Sequence, residues 1–220
     1  MQHLNTAIFD MDGLIINSEP FWVEAEKKVF ETVGLQLTDN DCRRTMGMRF
    51  DEVIEFWFRQ HPWAGKSKNR IMHEVIEEME SAILHRATPM KGAIECITFF
   101  KSNGYKTAIA SSSAGKLIRA CVKRLQLEEL IDKEVSAELF SHGKPHPQVF
   151  IETAHLLGSH SMECVVLEDS FYGVLAAKAA RMYCIAVPDQ ENKNNPKFAI
   201  ADLICDSLLE PPIKFSSLKQ

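Results

Sequence analysis

Along this chain, short runs that are apolar on both faces alternate with stretches in which apolar residues return every third or fourth position. The first kind covers residues 4–9, 106–110, 164–167 and 183–187, with a weaker example at 202–205. Strands apolar on both faces belong in a parallel sheet covered by helices on both sides. The second kind predicts helices. Leu117, Ile118, Cys121, Val122 and Leu125 share one face, as do Val149, Phe150, Thr153, Ala154 and Leu157. Ile94, Ile97 and Phe100 mark another helix, and Gly104 is placed to stop it. The alternation predicts an α/β chain with a parallel sheet.

Residues 17–82 break the alternation. They hold helical stripes and no convincing strand: Phe21, Ala25 and Val29; Val53, Ile54, Trp57 and Phe58; Ile71, Val75, Met79 and Ile83. Ser18 and Pro20 are suited to cap and open the first of these helices. The reading is a helical domain over 17–82, inserted as a lid into an α/β core formed by 1–16 and 83–220.

Composition narrows the function classes. Apolar residues make up 45% and charged residues 25%, with a formal charge of −5 and no Lys/Arg-rich stretch, so no nucleic-acid surface is expected. No apolar run approaches the roughly 20 residues of a membrane helix, and the apolar segment 6–9 meets acids at once, unlike a signal peptide. A cytoplasmic monomer without membrane or nucleic-acid partners is the expectation. The six cysteines form no C-x-x-C pair and several sit in apolar runs, so they read as reduced core thiols.

The candidate chemistry lies where strands end. The first strand runs into Asp10-Met11-Asp12-Gly13, and Gly13 permits a sharp turn there. The run at 164–167 ends in Glu168-Asp169-Ser170. In open α/β sheets, ligands bind beyond the carboxyl ends of the strands, so Asp10, Asp12, Glu168 and Asp169 can converge. Two carboxylates at about 4 Å repel by about 4 kcal/mol at an effective dielectric near 20, so such a group needs protons or a cation. Oxygen donors without Cys or His favour Mg²⁺. A third strand ends in Ser111-Ser112-Ser113 before a helix, where hydroxyls and free N–H groups suit phosphate. Lys144 sits on a proline-flanked loop and can balance the acids or hold a phosphoryl oxygen. His142 and His146 are four apart, but Pro145 and Pro147 break the helix that would align them on a metal.

Taken in order, Asp10-Met11-Asp12-Gly13, Ser111, Lys144 and Glu168-Asp169 resemble the motif set of the haloacid dehalogenase superfamily, over nearly the whole chain. The helical block resembles the cap of its β-phosphoglucomutase-like subgroup. That resemblance implies a Rossmann-like parallel sheet core with an inserted α-helical cap, and Mg²⁺-dependent hydrolysis of a small phosphorylated sugar or polyol. It implies Asp10 as nucleophile forming an aspartyl-phosphate, Asp12 as general acid and then base, and Ser111, Ser112 and Lys144 as phosphoryl ligands. Metal binding falls to Asp10, Asp12 through its main-chain carbonyl, Asp169, and Glu168 directly or through water. Gly47-Met48-Arg49 resembles the cap loop of the subgroup, making Arg49 a candidate substrate ligand. The aromatic stretch from Phe56 to Trp63 is similar to that of bacterial hexitol-phosphate and 2-deoxyglucose-6-phosphate phosphatases.

Departures point away from a phosphomutase, the nearest rival. Trp22 stands where the mutases carry a histidine, and Ala114-Gly115 where they carry the Lys-Asn that binds a second phosphate. Asn17 replaces a frequent acid. A metal-free dehalogenase is disfavoured by Glu168-Asp169. A receiver-like signalling module is disfavoured by Asp12 and the helical insert.

Overall fold

The computed structural model describes residues 4–45 and 47–218. Strand β1 (Thr6–Phe9) leads into four helices, α1 (Glu19–Glu31), α2 (Asp39–Arg43), α3 (Phe50–Gln60) and α4 (Lys68–Arg86). Then follow α5 (Ala93–Ser102), β2 (Lys106–Ser111), α6 (Gly115–Leu125), β3 (Lys133–Ser136) and α7 (Gln148–Leu156). The chain ends with β4 (Cys164–Glu168), α8 (Phe171–Ala179), β5 (Tyr183–Ala186), β6 (Leu203–Ile204) and α9 (Glu210–Leu218).

The strands form one six-stranded sheet in the order β3-β2-β1-β4-β5-β6, and every pairing is parallel. This is the Rossmann-like core expected from the sequence. Alternation sends Phe9, Ile109, Leu167 and Ile185 to one face, where they join Cys96, Ile97 and Phe100 of α5 and Leu117, Ile118 and Cys121 of α6. Ile8, Ala110, Val166 and Cys184 face the other side, with Val149, Phe150 and Ala154 of α7 and Val174, Ala176 and Ala177 of α8. Burying each large apolar side chain contributes about 1.5–3 kcal/mol, and Phe9, packed edge-on to Phe100 at 5.9 Å, is fully enclosed.

Four elements, α2, β3, α8 and α9, are not read from the sequence, and two of them show why. β3 is an edge strand whose Lys133 and Glu134 are exposed while Val135 and Ser136 are buried, so charge hides it. α8 is apolar nearly all round, which erases a helical period. All six cysteines are free and buried.

Between β1 and β2 the chain is helical. α4 packs on α1 and α3 within this block and also on α6 of the sheet layer. It continues to Arg86, so the boundary placed at 82/83 falls inside a helix: Ile83 prolongs its buried stripe. Two adjacent crossings join the block to the sheet. The Asn17 N–H donates to Thr88 O at 3.3 Å and the Met90 N–H to Ile15 O at 2.8 Å, while Ile16 bridges Pro89. Among the described residues, no helix is long and apolar enough to cross a membrane.

Candidate active site

The sheet reverses its order of growth at β1. The chain adds β2 and β3 on one side and then crosses to add β4, β5 and β6 on the other. A crevice opens at such a switch point, beyond the carboxyl ends of the strands. Register fixes what faces it. Phe9 pairs with Leu167 and with Ile109, so Asp10 follows β1 beside Glu168 and near Ser111. The Asp10 N–H still donates to Leu167 O at 3.0 Å, extending the ladder by one rung.

After Asp10 the chain folds back. The Ile15 and Ile16 N–H groups donate to Met11 O, and Gly13 adopts φ 77°. A Cβ at Gly13 would overlap the Asp169 carboxylate, so this glycine answers both a positive φ and a close approach.

Lys144 stands at the centre of the buried charges. Its Nζ donates to Asp10 Oδ1 at 2.5 Å, Glu168 Oε1 at 2.6 Å and Ala110 O at 3.2 Å. Three donors thus meet three acceptors. Burial works against the ammonium, but Asp10 and Glu168 outweigh it and hold the Lys144 pKa above its ordinary value. Glu168 is fully enclosed, and its other oxygen accepts from the Ser170 N–H and hydroxyl, both at 3.1 Å. Its carboxylate lies against Gly173 of α8, where any side chain would collide with it. Burial raises the Asp10 pKa to about 7, opposed by Lys144 and assisted by Glu168 and Asp12. Asp169 is raised as well, by burial and then by Glu168 and Asp10.

Carboxylate oxygens of Asp10, Glu168 and Asp169 lie within 4.8 Å of one another. Acids this close, two of them pushed toward the protonated form, fit a hard divalent cation that would restore their charge. Asp12, counted from sequence among four converging acids, leaves this group. Its side chain is drawn toward donors on the helical block and the β2 end. Ser18 Oγ donates to Asp12 Oδ1 at 2.5 Å and Trp22 Nε1 to the same oxygen at 3.1 Å. Ser113 Oγ donates to Asp12 Oδ2 at 2.6 Å, with Ser111 Oγ at 3.5 Å. Ser18 therefore does not cap α1 with its side chain, although it occupies the cap position. His142 and His146 lie outside the acidic group, their rings 4.7 Å apart.

A cavity of about 210 Å³ lies between the sheet edge and the helical block. Asp10, Asp12, Ser111, Ser112, Lys144 and Asp169 line its sheet side. Trp22, Glu26, Cys42, Met48, Phe50 and Val53 line the other. The structure does not bring Arg49 to this cavity. Its guanidinium pairs with Asp51 at 2.5 Å and donates to the carbonyls of Phe140 at 2.6 Å and Ala137 at 3.3 Å, tying the start of α3 to the sheet layer. The aromatic stretch divides. Trp57 is buried in the block with Phe56 at 4.9 Å, while Phe58 packs on Trp63 at 4.8 Å. Sequence reasoning missed Trp22 as a donor to Asp12, Ser113, and Glu26. Ser18, at the cap position of α1, and Trp22 and Glu26 on the helix follow i, i+4, i+8, a file of hydrogen-bonding side chains that signals a shared surface.

The model of the family "Haloacid dehalogenase-like hydrolase" matches residues 7–187. Hexitol phosphatase B of Escherichia coli is 38% identical over 205 residues, covering 93% of this chain and 92% of the relative. Among solved structures, CbbY from Rhodobacter sphaeroides in complex with phosphate superposes with a TM-score of 0.86 at 22% identity, covering 94% of this chain and 96% of that one. β-Phosphoglucomutase from Clostridium difficile superposes with a TM-score of 0.82 at 24% identity, covering 98% of this chain and 96% of that one.

Proposed function

Because the chain belongs to the haloacid dehalogenase-like hydrolase family and is a phosphatase, we propose that it hydrolyses the monophosphate of a small sugar or polyol through a phosphorylated Asp10, with Mg²⁺ as cofactor. The observation that supports this best is the arrangement around Asp10: a buried carboxylate oriented by Lys144, with Asp169 and Glu168 behind it and Asp12 lining the same side of the cavity.

An Asp10 oxygen attacks phosphorus, and the bond from phosphorus to the sugar oxygen breaks. Asp12 gives its proton to the departing alkoxide. Trp22 can only donate, and it fixes Oδ1 as an acceptor. The proton then belongs on Oδ2, whose serine partners can accept as readily as donate. In the second step Asp12 takes a proton from water as that water attacks the phosphorus of phospho-Asp10, releasing inorganic phosphate. Ser111 and Lys144 hold phosphoryl oxygens, and Ser112 adds a hydroxyl beside them. Glu168 keeps Lys144 in position.

Asp10, Asp169 and the main-chain carbonyl of Asp12 would hold Mg²⁺, with Glu168 behind them. When bound, the ion supplies positive charge that favours ionised acids and offsets the phosphoryl charge. The helical block, read as a cap domain, excludes water and selects the substrate.

A phosphomutase must hold a second phosphate. Ala114 and Gly115 offer no side chain for it, and the Gly115 N–H already donates to Glu138 at 3.0 Å, so a carboxylate occupies that helix start. Hexitol phosphatase B, by its name, acts on hexitol phosphates, and the same class is the first to try here. Phosphate release from a panel of sugar and polyol monophosphates with Mg²⁺, but not after chelation, is the expected result. Isomerisation without release, or release indifferent to chelation, would overturn the reading.

A further inference from the structure

We propose that Glu26 is the specificity-determining residue that binds hydroxyl groups of the substrate's carbon chain, at the end of the cavity away from the phosphate. The proposal rests on the sugar- or polyol-phosphatase reading above and adds the residue that recognises the polyol.

Glu26 is 95% buried by its 5% relative exposure, yet it lines the cavity. Its Oε2 has no hydrogen-bond partner. The Cys42 thiol, a weak donor, is the side chain that hydrogen-bonds the carboxyl. The apolar Phe50, Val53 and Val23 also line the cavity. A buried acceptor left this way destabilises the free protein, and a purely structural carboxyl would be matched to donors, as Glu168 is.

Geometry says what would complete it. Trp22, bonded to Asp12, ties the α1 face to the reacting centre. Glu26 lies one turn further along the same face, about 6 Å at a rise of about 1.5 Å per residue. That separation is a few carbon–carbon bonds, so a substrate with its phosphoryl group near Asp10 and its ester oxygen near Asp12 extends its chain toward Glu26. Burial raises the Glu26 pKa to about 7, so both protonation states are accessible near neutrality. A carboxyl of that kind can accept from one hydroxyl and donate to another, which suits a neutral polyol better than a cationic group. A site built to bond a hydroxyl discriminates strongly against analogues lacking it.

The test compares wild type, Glu26→Gln and Glu26→Leu, all with Mg²⁺, on a hexitol 6-phosphate and on p-nitrophenyl phosphate, which has no hydroxyl chain. The quantity read is the ratio of kcat/KM for the two probes, together with Tm. Glu26→Leu is expected to lower the ratio by about tenfold or more, chiefly through KM for the hexitol phosphate. Glu26→Gln should retain part of it, and the Tm of both variants should equal or exceed that of wild type. Glu26→Gln, which preserves shape, carries the test if Glu26→Leu does not fold. A ratio unchanged within about twofold, or a parallel loss on both probes with a lowered Tm, overturns the assignment while leaving the phosphatase reading intact. No release by wild type from either probe overturns that reading and this inference with it.

Discussion

Asp10 and Asp12 are two positions apart, and the structure gives them different neighbours. Asp10 is enclosed beside an ammonium and two further acids, whereas Asp12 sits among hydroxyls and an indole N–H. The proposed mechanism uses this contrast, with Asp10 as nucleophile and Asp12 as proton donor. Asp10→Asn, which keeps shape and loses the nucleophile, is expected to abolish steady-state phosphate release with Tm within a few degrees of wild type. Asp12→Ala is expected to lower kcat by about 10²–10⁴-fold for a sugar phosphate, as for loss of a general acid. The loss should be much smaller for p-nitrophenyl phosphate, whose leaving group needs no proton. Glu26 gives a stability prediction. Its pKa is raised from 4.5 to about 7 in the folded state by burial, so the native protein binds the extra proton between those values. Its contribution is therefore full below pH 4.5 and is lost as pH rises through about 7, by about 3 kcal/mol in all. The Cys42 thiol, itself pushed up to about 12 by burial and Glu26, stays neutral across that window. Chemical denaturation of wild type and Glu26→Gln at pH 5 and pH 8 should show the difference narrowing or reversing at the lower pH; a constant difference would contradict it.

At the scale of elements, strand ends and the glycines beside them build the site. Gly173 lets α8 approach β4 closely enough to press on Glu168, which in turn positions Lys144. Gly173→Ala should therefore destabilise by about 1–3 kcal/mol through overpacking and reduce kcat more than KM, read by denaturation and by initial rates. Normal stability with normal kcat would show that the packing does not matter. These strand ends were legible in the sequence because an apolar run that stops at an acid, a serine or an acid pair is a strong local pattern, as at Phe9-Asp10, Ala110-Ser111 and Leu167-Glu168. What lay beyond reach depended on tertiary placement. The direction of the Asp12 side chain is set by Trp22 and Ser18 on α1, and the reach of Arg49 by carbonyls roughly ninety residues away in sequence at Ala137 and Phe140. β3 escaped because an edge strand needs only one buried end.

Across the whole molecule, a helical block and a sheet layer enclose one cavity, joined by two neighbouring crossings and by α4 against α6. Contacts across the gap, such as Lys116 with Glu80 at 2.7 Å and Arg49 with the sheet-layer carbonyls, hold the two parts together. The acids Asp10, Glu168 and Asp169 repel one another across the floor. A cation that binds only the folded state adds about 2.7 kcal/mol at a concentration 100 times its Kd. Mg²⁺ should thus raise Tm in a concentration-dependent way in wild type and much less in Asp169→Asn. An equal rise in both would place the ion elsewhere.

The proposed chemistry forms a covalent bond between Asp10 and phosphorus, and this can be trapped. Wild-type protein turning over a hexitol 6-phosphate with Mg²⁺ is quenched rapidly in acid, reduced with borohydride and mapped by peptide mass spectrometry. An aspartyl-phosphate at position 10 is reduced to homoserine, so homoserine is expected in place of Asp10 and nowhere else, and none without substrate. Intact Asp10 throughout active turnover, or reduction at a different carboxylate, would contradict it.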